Sequence, residues 1–107
     1  MNGLRFATGR TPVNANAWKV YTENCIYIDV DTSSGGFTKA PNYMTSIGGA
    51  EEPWIAAGVT AIYPIPPATT PGSGGFRIYI RRRDGAALTP AQAEAKGWYI
   101  QWVGVEQ

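Results

Sequence analysis

The chain has 107 residues, enough for one domain with a modest core. Hydrophobic residues make up 44%, which argues against disorder, but charged residues reach only 16%, below the usual ~25%; such a surface either meets a partner or is covered by Thr, Ser, Asn and Gly. A formal net charge of +1 offers no general field for nucleic acid, the lack of His removes the commonest general acid–base and metal ligand, and the single Cys25 permits neither an internal disulfide nor a thiolate metal site.

No apolar run approaches the length of a membrane span, and Met1 to Arg5 lacks the apolar core of a signal peptide. Residues 1–16 are polar and interrupted by Gly9, Arg10, Thr11 and Pro12, so they read as an irregular N-terminal arm preceding a domain over 17–107. Ala17 to Tyr21 is a candidate short strand. Cys25 to Asp31 is a clear one, with Ile26, Ile28 and Val30 on one face and Tyr27, Asp29 and Asp31 on the other. Asn42 to Ile47 follows, closed by Gly48 and Gly49. Glu51 to Trp54 forms a loop, and Gly58 to Tyr63 is predicted as a further strand.

The Pro- and Gly-rich stretch from Pro64 to Gly75 must be an extended connection. Beyond it, Gly75 to Arg81 places Phe76, Ile78 and Ile80 opposite Arg77, Tyr79 and Arg81. Thr89 to Gly97 carries a helix signal of about two turns: an N-cap Thr, Pro at the first position and a C-terminal Gly. Gly97 to Glu106 is the last strand, with Trp98, Ile100 and Trp102 sharing a face. The sum is an all-β fold, a six-stranded antiparallel β-sandwich with one short helix between the last two strands.

These segments occur in an order that resembles the H-type lectin domain, a family of invertebrate agglutinins that bind N-acetylgalactosamine. The resemblance rests on Ile26-Tyr27-Ile28, Phe37 to Pro41, Ser46-Ile47, Ile62-Tyr63-Pro64, Gly75-Phe76-Arg77 and Tyr99 to Glu106. It implies a trimer, or a multiple of one, that binds glycans of the galactose or N-acetylgalactosamine type multivalently and works outside the cell. The chain departs from the family where an Arg precedes the aliphatic-Tyr pair (here Ala61), where a Trp-His follows the Gly-Phe strand (near Arg83-Asp84), and in lacking its cysteine pairs.

A sugar site needs an aromatic face and planar polar groups for vicinal hydroxyls. Trp54 beside Glu51 and Glu52, and the turn carrying Arg82, Arg83 and Asp84, are the candidates; the bland alternatives are an end-capping Trp and solvated charges. Asp29 and Asp31 lie roughly 7 Å apart on one strand face, where pairing with Arg77 or Arg81 is a plainer role than glycoside hydrolysis or calcium binding. The outward Tyr27, Tyr79, Tyr99 and Gln101 suit an oligomer interface or a solvent face. The expectation is a non-catalytic lectin without cofactors, metal, nucleic acid or membrane span, with a structural module of a fibre or larger particle as the alternative.

Overall fold

The computed structural model describes residues 4–13 and 16–107. The structure is mostly β: two antiparallel sheets and one short helix. Among the described residues it has seven strands rather than the six expected: β1 (Arg5–Arg10), β2 (Trp18–Thr22), β3 (Cys25–Asp31), β4 (Asn42–Gly48), β5 (Ala56–Ala57), β6 (Gly75–Arg82) and β7 (Tyr99–Glu106). One sheet has the order β1-β7-β4, the other β2-β3-β6-β5.

Period-two patterning explains β3, β6 and β7. Ile26, Ile28, Val30, Phe76, Ile78, Ile80, Trp98, Ile100 and Trp102 are all buried, as the alternation requires, and both sheets feed one hydrophobic cluster. Register reinforces the pattern: Ile26 faces Ile80, Ile28 faces Ile78 and Val30 faces Phe76. Tyr43 of β4 reaches across, its ring centroid 4.4 Å from Phe76 of β6 and 6.2 Å from Trp102 of β7. Its hydroxyl donates to the Gly72 carbonyl at 2.7 Å and lies 2.7 Å from the Thr32 hydroxyl, pinning the Pro/Gly-rich connection to the sheets.

Two expectations are corrected. The described part of the N-terminal arm is not irregular: β1 pairs with β7 in continuous register from Arg5 opposite Glu106 to Arg10 opposite Gln101. Its alternation is hidden because the partly buried positions are Ala7 and Gly9 rather than large apolar residues. They are small because neighbours already fill the space; a Cβ on Gly9 would lie 2.9 Å from the Trp102 indole. Residues 1–3, 14 and 15 of that arm lie outside the described residues.

The strand expected at Gly58 to Tyr63 is a turn, and pairing falls instead on Ala56–Ala57, with one bridge from Tyr63 to Arg77. Gly58 adopts φ +94°, and a Cβ there would approach the Tyr79 carbonyl oxygen to 2.6 Å, so the chain must turn away from β6 at that point. The helix α1 (Pro90–Ala95) forms where expected. The Thr89 side chain accepts from the Gln92 N–H, and the Gln92 side chain accepts from the Thr89 N–H, a complete capping box.

Candidate functional site

The fold brings the two sequence-distant candidate segments together. β5 pairs with the end of β6, Ala56 opposite Arg82 and Ala57 opposite Arg81. One step further the Arg83 N–H donates to the Ile55 carbonyl at 2.8 Å. Trp54 therefore precedes, and Asp84 follows, residues joined by that bond.

Both sides of the site are braced. The N–H groups of Ala50 and Glu51 donate to the Lys96 carbonyl at 3.0 and 3.1 Å, and the buried Trp98 donates its indole N–H to the Glu51 carbonyl at 2.7 Å. Glu52 takes a left-handed conformation, φ 54°, uncommon for a residue with a side chain, and Pro53–Ile55 then form a 3-10 turn. The Trp54 side chain stands on that turn with 70% of the residue exposed. Trp54 thus covers little of the core, and the residue buried beneath the loop is Trp98.

The charges divide into engaged and open groups. Arg82 grips Asp84 through two parallel bonds, Nε to Oδ1 at 3.0 Å and Nη2 to Oδ2 at 2.8 Å. That pairing, together with the Ala86 N–H donating to Asp84 Oδ1, holds the Asp84 carboxyl well below the usual carboxylate range. Lys96 Nζ lies 2.9 Å from Glu52 Oε1 and depresses the Glu52 pKa in the same way, with a smaller contribution from Arg82. Glu51 and Arg83 form no ion pair among the described residues. What remains open is an indole face, a carboxylate and a guanidinium on a braced loop pair, a set able to stack against a ring and hydrogen-bond its hydroxyls.

The carboxylate pair on β3 is spoken for. Asp29 receives Arg77 through Nε at 2.6 Å and Nη2 at 3.1 Å, the cross-strand pairing expected, and Asp31 accepts from the Ser33 N–H at 2.9 Å. Among the described residues no three Cys, Asp or Glu side chains cluster as a metal site. Burial pushes the Cys25 thiol up, against an opposing pull from Arg81.

Sequence reasoning missed the convergence of the tyrosines. Tyr27 and Tyr79 were legible as outward-facing, but Tyr21 and Tyr63 also pack on Tyr79, with centroids 4.9 and 5.1 Å away. Three tyrosines around a fourth could be found only by knowing that β2, β3 and β6 are neighbours. On the other sheet, Phe6 and Met44 are exposed at 65% and 58%, Phe6 opposite Val105 and Met44 opposite Val103, with the Arg10–Gln101 pair further along the same strands. Compared with models of protein families, with curated proteins and with solved structures, the chain matches none.

Proposed function

We propose that this chain is a non-catalytic, carbohydrate-binding lectin domain, built as a β-sandwich of its two sheets and made multivalent by homo-oligomerisation. The observation that carries the reading is Trp54: a largely exposed indole on a 3-10 turn hydrogen-bonded to the Arg82–Asp84 turn. An exposed Trp costs hydration, and a rigid one presents its face to a ligand with little ordering entropy. Glu51 and Arg83 supply an acceptor and donors for hydroxyls at the rim, while the ion pairs at Glu52 and Asp84 keep the loops in place. The resemblance to the H-type lectins supports the same class, with galactose-type sugars as the first ligands to try.

The outer face of the β1-β7-β4 sheet supports the oligomeric part of this reading. Phe6 opposite Val105 and Met44 opposite Val103 give that face an apolar stretch with few charges, and a second copy of the chain covers it. The same face supports the second reading, an assembly module of a fibre or larger particle.

A glycan array read together with light scattering separates the two. Selective glycan binding by an oligomer of fixed mass, lost in Trp54→Ala, is the expected result. An array without signal and a mass that climbs with concentration would overturn the lectin reading in favour of the assembly module.

A further inference from the structure

We infer that the outer face of the four-stranded sheet is a second ligand site, a tyrosine-walled groove that takes a carboxylate-bearing saccharide on Arg81. The inference rests on the carbohydrate-binding reading for its ligand class but not for its location, since it shares no residue with the Trp54 loop.

The groove is built by strand order. Tyr79 on β6 forms the floor. Tyr21 approaches from the β2 side and is 61% exposed; Tyr63 is bridged to the opposite edge of β6 and is 46% exposed. Both stand edge-on to Tyr79, with interplanar angles of 64° and 90°. Tyr21 lies at a register shift between Val20 and Thr22, which breaks regular β2–β3 pairing at its position. Two cavities of about 210 and 310 Å3 share Cys25, Tyr63, Tyr79 and Arg81 and so form one trough. Together they fall in the lower half of the ~300–1,000 Å3 range of small-molecule sites, the scale of one or two sugar rings.

The two arginines on this face differ. Arg77 is occupied: it lies over the Tyr27 ring at 4.0 Å, pairs in two bonds with Asp29 and donates to the Tyr79 hydroxyl at 3.3 Å. It fixes one end of the trough. Arg81, exposed at the other end, has no carboxylate partner among the described residues. A cation beside apolar ring faces complements a ligand that joins an apolar ring face to an anion. Tyrosine hydroxyls add donors and acceptors for ring hydroxyls, and a guanidinium receives a carboxylate through two bonds. A polyphosphate chain such as nucleic acid needs several open cations, and this groove has one.

The test is an NMR titration of the 15N-labelled chain at low salt with a galacturonic acid trisaccharide and with the neutral galactose trisaccharide. The acidic sugar should bind about tenfold or more tightly, shift the amides of Tyr21, Tyr63, Tyr79 and Arg81, and lose its advantage as salt rises. Arg81→Gln should bring the two sugars to equal affinity, Tyr63→Ala should weaken both, and Trp54→Ala should leave the groove titration unchanged. Both replaced groove side chains belong to exposed residues, so an unchanged thermal midpoint confirms folding. Shifts confined to Trp54, Arg83 and their neighbours would overturn the groove while sustaining the lectin reading. Saturation without groove shifts, or equal affinity for both sugars in the parent chain, would overturn it outright.

Discussion

Replacing Tyr43 by Phe removes one oxygen and leaves the ring. The ring contacts with Phe76, Phe37 and Trp102 persist, so any loss of stability belongs to the hydroxyl. That hydroxyl donates to the Gly72 carbonyl and meets Thr32, whose own hydroxyl donates to the Ser73 carbonyl at 3.3 Å and whose backbone N–H donates to the Gly74 carbonyl at 3.0 Å. Thr32 keeps a partner in the variant, whereas Gly72 loses its donor in a partly buried place. The expected cost is about 1–2 kcal/mol, which for a domain of this size lowers the thermal midpoint by roughly 5–10 °C. Tyr43→Ala also empties the ring site and should cost about 3–5 kcal/mol. Thermal denaturation followed by circular dichroism gives both numbers, and hydrogen exchange should show faster exchange in residues 72–75 of the Phe variant. A Phe variant within about 1 °C of the parent, with unchanged exchange, would refute the idea that this hydroxyl holds the connection against the sheets.

Gly104→Ala should destabilise by about 1–3 kcal/mol through overpacking, because its Cβ would sit 2.6 Å from Phe37 Cζ and 3.3 Å from Tyr43 Cε1; adding Phe37→Leu should restore part of the loss in urea unfolding. Thr89→Ala breaks the capping box and should cost about 1 kcal/mol, measurable as a shift in the urea midpoint with unchanged slope. In acid, Glu106 (held low by two bonds from Thr38), Glu52, Asp31 and Asp84 all have depressed pKa values. The unfolded chain then binds more protons, so stability is full above the ordinary carboxylate range near ~4 and falls as pH drops below it; Glu106→Gln should flatten the thermal-midpoint profile over that range.

What the sequence made legible follows from residue size. β3, β6 and β7 place large apolar side chains at every second position, and α1 announces itself through Thr89, Pro90 and Gly97. β1 was hidden because Ala7 and Gly9 are small where Trp102 is large, so the side chain that reveals the strand belongs to another strand. Gly58 to Tyr63 misled in the opposite direction: Val59, Ile62 and Tyr63 carry a strand's composition, but Gly58 takes a conformation that turns the backbone away. The Trp54 loop and the Arg82–Asp84 turn were legible as separate candidates. Their adjacency was not, because a two-residue strand such as β5 carries too little pattern to be read.

The pairing of β1 with β7 joins the earliest described strand to the last, and this sets an order of events. Synthesis runs from the N-terminal end, and β7 emerges some 90 residues after β1. Until then β1 has no partner strand, while the β2–β3 hairpin can already close locally. Contacts of such long sequence separation form slowly, because most of the chain must be ordered to bring their ends together. The sheet that carries Phe6 and Met44 is thus completed last. A nascent chain leaves the β1 edge of β7 unpaired until β1 joins it, so aggregation during refolding should begin from this sheet, whereas the β3–β6 pairing involves neither β1 nor β7.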